Sequence, residues 1–171
     1  MLKTRVLDAL NAQIQKEIES AYIYLGMAAY FDGMNFPGFS HWMKIQYEEE
    51  MAHAFKIYHY INSRGEKVIL EAIAKPSVDF SSPLEVFEAA LEHEQYISRS
   101  INDLYTLAKA ENDYATQQFL HWFIEEQVEE EENAGGIVDT LNMVKDHPQA
   151  LLMLDRELAQ RPLPSELEGE E

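Results

Sequence analysis

The chain has 171 residues, 46% of them apolar, enough for one well-buried domain and too apolar for a disordered chain. Its net charge of −18 argues against an electrostatic grip on DNA, RNA or anionic lipid and favours attraction of cations. With no cysteine, disulfides, thiolate zinc sites, iron–sulfur clusters and a rubredoxin-type iron are excluded, so any metal is held by oxygen and imidazole donors, as harder ions such as Fe, Mn, Zn or Mg prefer.

In chain order, a first helical pattern runs from about residue 5 to Asp32 and ends at Gly33. The segment Gly33–Gly38 carries Gly and Pro punctuation and reads as a short loop. A second helix spans about Ser40 to Arg64 and stops at Gly65, and residues 66–82 form a long connection with Pro76 and the start signal Ser81-Ser82-Pro83. A third helix covers about 83–110 and a fourth about 113–145, interrupted in composition by Gly135-Gly136, where a kink or a close helix contact is expected. His147-Pro148 breaks the pattern before a short amphipathic helix with Leu151, Leu154 and Leu158 on one side. Residues 162–171 are acidic and are expected to be a disordered tail beside a single domain of residues 1–161.

Loop lengths set the expected topology. Short turns make two antiparallel helix pairs, and the long connection can run the length of the bundle, leaving helices two and three parallel. The predicted fold is all-α: a four-helix bundle with one long crossover and a short fifth helix. The N-terminal residues lack a hydrophobic signal core and no apolar run approaches membrane-spanning length, so a cytoplasmic protein without membrane contact is expected.

Each long helix has an apolar stripe with one glutamate near its midpoint. The first stripe reads Leu7, Leu10, Ile14, Glu17, Ala21, Tyr24, Ala28, Phe31; the others carry Glu50, Glu94 and Glu130 in equivalent places. None of the four stripes contains Lys or Arg. Burying an unpaired carboxylate costs several kcal/mol, comparable to the stability of a small domain, so four of them at one level call for a cation the sequence does not encode. Glu50-Met51-Ala52-His53 is the single Glu-x-x-His of the chain, and residues three apart share a helix face, so Glu50 and His53 can meet the same ion.

One glutamate from two helices and Glu-x-x-His from two others resembles the ferritin-like di-metal carboxylate bundle. This chain matches three of the four elements; helix four reads Glu125-Glu126-Gln127-Val128-Glu129-Glu130-Glu131-Glu132, without a second histidine. One ion would then have Glu17, Glu50 and His53, and the other Glu50, Glu94 and Glu130, with Glu50 bridging. Such unequal ligand sets predict sequential filling and a site that releases its ion.

Glu17, Tyr24, Glu50, His53, Glu94, Gln127 and Glu130, with the string Trp122–Glu131, make the chain similar to the bacterial and archaeal non-haem ferritins over all but the acidic tail. The resemblance implies a hollow 24-subunit cage, a ferroxidase centre that binds two irons and passes electrons to O2 or H2O2, and a ferric mineral inside. It also implies a third iron site at Glu49, Glu126 and Glu129, a site role for Gln127, and a ligand-bonding or electron-supplying role for Tyr24. Trp122 reads chiefly as packing, and His41, His59, His93, His121 and His147 read as surface or packing residues. Glu50-Met51-Ala52-His53 has the Glu-Met-x-His form that binds haem between bacterioferritin subunits, but without a second Glu-x-x-His haem is not expected. Two rivals remain distinct in class: a haem-containing store, and a bundle that buffers Zn or Mn without redox turnover. A DNA-protecting mini-ferritin is disfavoured by ligands that lie within one subunit and by the acidic tail.

Overall fold

A computed structural model describes residues 2–163, so most of the expected acidic tail, residues 164–171, lies outside the described residues. The described residues form five helices and no strand: α1 Thr4–Gly33, α2 Pro37–Ser63, α3 Pro83–Ala110, α4 Tyr114–Val144 and α5 Pro148–Leu158. The all-α expectation holds, with two local differences. Helix α2 begins at Pro37 rather than near Ser40, because proline is pre-organised for the first helical position where its missing N–H is no loss. Helix α4 continues unbroken through Gly135-Gly136, and a Cβ at either glycine would meet nothing within 4 Å, so no neighbour within the subunit packs against that point.

The helix starts follow from local chemistry. The Ser82 hydroxyl accepts the Glu85 N–H while the Glu85 carboxylate accepts from Ser81, which locks the entry to α3. Asp113 caps α4 by accepting the Thr116 N–H at 3.1 Å. At α2 no local side chain does this work. Asp155 of α5 instead accepts the N–H groups of Gly38 and Phe39, at 2.8 and 3.0 Å, and satisfies two of the donors that every helix start leaves open. A Cβ on Gly38 would lie 1.6 Å from the Asp155 carbonyl oxygen, so glycine is what lets α5 dock there.

The core divides into two clusters at opposite ends of the bundle. One is aromatic, with Phe31, Phe39, Trp42 and Phe87 from the end of α1 and the starts of α2 and α3; Phe31 and Phe39 stack with ring centres 4.9 Å apart. The other is mainly aliphatic, with Leu10, Ile14, Ile57, Ile61, Ile97, Ile101 and Leu120. The order of residues through the two clusters makes α1 antiparallel to α2, α3 antiparallel to α4, and α2 parallel to α3. The crossover 64–82 lies along α1, bonded through Ile69 N–H to Asn11, Ala72 C=O to Gln15 and Ala74 N–H to Glu19. No helix among the described residues is long and apolar enough to cross a membrane. Between the two apolar clusters lies a layer of buried polar side chains.

Candidate metal centre

Glu17, Glu50, His53, Glu94 and Glu130 all belong to that layer and all are buried. Each helix positions its glutamate by register: the residues two turns away on either side of the same stripe belong to or pack against the apolar clusters, which drag the carboxylate inside. Ligand atoms of Glu17, Glu50 and His53 lie within 4.8 Å of one another, as the sequence leads one to expect for the first ion. The second group the structure draws together is His53, Glu126 and Glu130 rather than Glu50, Glu94 and Glu130. Glu94 is held by hydrogen bonds instead: Tyr24 donates its hydroxyl to one carboxylate oxygen and Gln127 donates its amide to the other at 3.1 Å.

Two further buried amides, not singled out from sequence, orient the carboxylates. Gln13 donates to Glu17 at 2.8 Å and Gln46 donates to Glu130 at 2.9 Å. Gln13 lies one turn before Glu17 on the same helix, a spacing that was readable. Gln46 reaches across to another helix, and local spacing carries no trace of that pairing. Oε2 of Glu17 and Oε2 of Glu50 are buried and meet no donor, and the two carboxyls lie close enough to share a proton between them. Polar atoms in protein interiors are almost always satisfied, and two orphaned carboxylate oxygens in one layer mark where a cation fits.

The electrostatics agree with that geometry. Burial pushes the Glu17 carboxyl up to about 7 against the restraining bond from Gln13, and pushes Glu94 to about 7 against Tyr24 and Gln127. Burial and then Glu94 raise Glu130 to about 8. Glu50 is raised well above its usual value, by burial and by the neighbouring Glu94, Glu17 and Glu130. Burial lowers His53 to about 4, which leaves a neutral imidazole with a lone pair for a metal. Its ring stands edge-on to Trp122 at 5.3 Å, so Trp122 is a packing wall of the site. Tyr24 is raised well above its usual value by burial and by Glu94, so it stays a phenol and donates.

The outer carboxylates are different. Glu49 forms an ion pair with Arg161, Oε2 to Nη2 2.7 Å, and Glu126 and Glu129 bear on it electrostatically. Arg161 follows α5 and was not singled out from the sequence. Of the remaining histidines, His93 bonds Ser20 at 2.7 Å and His41 bonds the Arg161 carbonyl at 2.9 Å, in keeping with packing roles.

A four-helix bundle with one long crossover, whose helices meet through carboxylates at mid-length, defines the ferritin-like class of helical proteins. The ferritin-like domain family matches residues 7–144, and the chain belongs to the ferritin family. It is 43% identical to a bacterial non-haem ferritin of Staphylococcus saprophyticus, over 94% of this chain and 96% of the relative. A bacterial non-haem ferritin of Bacteroides fragilis is 42% identical over 94% of this chain and its own full length. Among solved structures, an engineered closed form of the Archaeoglobus fulgidus ferritin superposes with a TM-score of 0.95 at 43% identity, covering 96% of this chain and all of that one. The open-pore ferritin of the same archaeon gives 0.94 at 43% identity, covering 95% and all.

Proposed function

We propose that this chain is the subunit of an iron-storing ferritin that oxidises Fe(II) at the buried layer and deposits the ferric product inside a 24-subunit cage. The observation that carries the reading is the four buried carboxylates whose two orphaned oxygens, on Glu17 and Glu50, converge with His53. Iron is the substrate here. Glu17, Glu50 and His53 hold one Fe(II); Glu50, Glu94 and Glu130 hold the second, with Glu50 bridging and Glu94 exchanging its hydrogen bonds from Tyr24 and Gln127 for the ion.

Hard carboxylate oxygens stabilise Fe(III) relative to Fe(II) and so favour electron loss. Two adjacent ions give up one electron each. With H2O2 as acceptor, the O–O bond breaks, two protons are taken up and two waters form; with O2, two electrons and two protons yield H2O2. Gln13, Gln46 and Gln127 keep the carboxylates aimed while these change partners. Tyr24 orients Glu94. Exposed Leu25, Ile69, Leu70 and Val78 on α1 and the crossover, and Leu152 and Met153 on α5, supply apolar surface for association between subunits.

Aerobic addition of Fe(II) tests the reading. Wild type is expected to oxidise iron far faster than a Glu50→Ala/His53→Ala double variant, and particle mass by light scattering is expected to be that of a cage. Equal oxidation rates in the two proteins leave only the rival, a metal-buffering bundle without turnover.

A further inference from the structure

Glu17 is the inner end of a chain of hydrogen bonds that starts at a half-buried lysine. Lys16 Nζ donates to Ser100 Oγ at 2.6 Å, Ser100 donates to Gln13 Oε1 at 2.6 Å, and Gln13 Nε2 donates to Glu17 Oε1 at 2.8 Å. The chain leaves α1, crosses to α3 and returns to α1, so it exists only once the two helices have packed. Its direction is fixed at the outer end. An ammonium has donors and no acceptor, so the Ser100 oxygen accepts from Lys16 and its one hydrogen is left for Gln13. An amide whose oxygen takes that hydrogen has only its NH2 to offer Glu17. Lys16 is itself seated over the Tyr96 ring, 5.4 Å from Nζ to the ring centre.

Glu130 has the same kind of amide partner without this support. Gln46 donates to Glu130, but its own Oε1 is buried and meets no donor. Turning the Gln46 amide over loses one hydrogen bond, whereas turning Gln13 over loses two and sets like groups against each other at both ends. Glu17 is therefore the better fixed of the two carboxylates, and a side chain already held in one arrangement loses little freedom when an ion arrives. We propose that Lys16, acting through Ser100 and Gln13, is a positioning residue that ties down Glu17 Oε1 and leaves Oε2 for the metal, so that Glu17, Glu50 and His53 take the first ion before the second site fills. This rests on the iron-handling reading above and names what sets its order of filling.

Zn(II) is a suitable probe because it binds without redox chemistry. In calorimetric titration of the assembled, metal-free protein, the tight step that Glu17→Gln removes identifies the first ion. Ser100→Ala, which keeps the lysine charge and cuts the chain, is expected to weaken that step about tenfold, so that it draws towards the second step. Lys16→Met is expected to weaken it as much, and the double variant no further, because links in series fail once. Ser100→Thr restores the hydroxyl and is expected to recover the binding that Ser100→Ala loses. A first step unchanged in Ser100→Ala overturns the proposal even where Lys16→Met weakens it, since the lysine then acts through its field alone. Losses that add in the double variant are two separate structural effects and overturn it as well. Should Ser100→Ala fail to assemble, Gln13→Leu cuts the chain at its inner end; there Lys16→Met is expected to change nothing more, and a further loss overturns the proposal. Failure of the iron-handling reading looks different: the step that Glu17→Gln should remove is then missing from wild type itself.

Discussion

Glu49 and Glu50 are neighbours in sequence and opposites in physics. Glu50 is 1% exposed, its Oε2 meets no donor, and three other carboxylates raise its affinity for a proton. Glu49 is 18% exposed and carries an arginine at 2.7 Å. One helix step separates a carboxylate turned into a bundle interior from one at its margin. At the inner layer a metal competes with protons and, at Glu94, with the hydrogen bonds from Tyr24 and Gln127. At Glu49 the cationic partner is part of the chain, and burial still raises its carboxyl to about 7 against the pull of Arg161.

Substitutions that make the two sites alike sharpen this contrast. The largest effect is expected from Glu50→Gln, which keeps the shape and removes the charge. Metal binding at the inner layer should weaken by about 2–5 kcal/mol. The metal-free protein should instead gain roughly 1–4 kcal/mol at pH 8, because an amide is buried without the proton that the Glu50 carboxyl must take up to be neutral inside. Chemical denaturation with and without Zn(II) measures both, and a less stable metal-free variant would break the account of the inner site. Gly38→Ala comes next. Its methyl group would drive α5 off the start of α2, costing about 1–3 kcal/mol by overpacking. It should also break the Glu49–Arg161 pair that α5 delivers, and Trp42 emission unchanged from wild type would separate α5 docking from the seat of Arg161. The smallest effect belongs to Gln46→Leu, which removes the amide that aims Glu130. Inner-site affinity should fall about tenfold in calorimetry with helix content unchanged in circular dichroism.

Much of this was legible because it is periodic. A glutamate among Leu, Ile and Phe on a 3.6-residue stripe is a local signal, and the same signal on four helices yields both the bundle and the layer. The crossover topology followed from loop length alone. What escaped was non-periodic and distant. Asp155 capping α2 across 117 residues and Arg161 pairing with Glu49 leave no mark in any window of sequence. Loop composition placed the start of α2 too late, since Pro37-Gly38 is punctuation in a loop and also a good first turn when α5 supplies the cap. Tyr24 and Gln127 orient Glu94 from two other helices, and spacing along α3 carries no trace of it.

Proton linkage gives the central claim its sharpest form. Glu17 and Glu94 are raised from 4.5 to about 7 and Glu130 to about 8, so the folded metal-free protein holds protons that the unfolded chain has already released. The stability they contribute is full below pH 4.5 and is lost as pH rises through 7 and 8. His53, lowered from 6.5 to about 4, acts in the opposite sense, costing stability as pH falls from 6.5 towards 4. A metal ion takes the place of the carboxyl protons. The most direct measurement is therefore calorimetric titration of the metal-free protein with Zn(II) near pH 7, in two buffers of different ionisation enthalpy. Protons should leave with the tightly bound ions, and affinity should rise between pH 6 and pH 8. Tight binding without proton release and without pH dependence, or no tight binding at all, would contradict the claim that these carboxylates wait for a cation the chain does not supply.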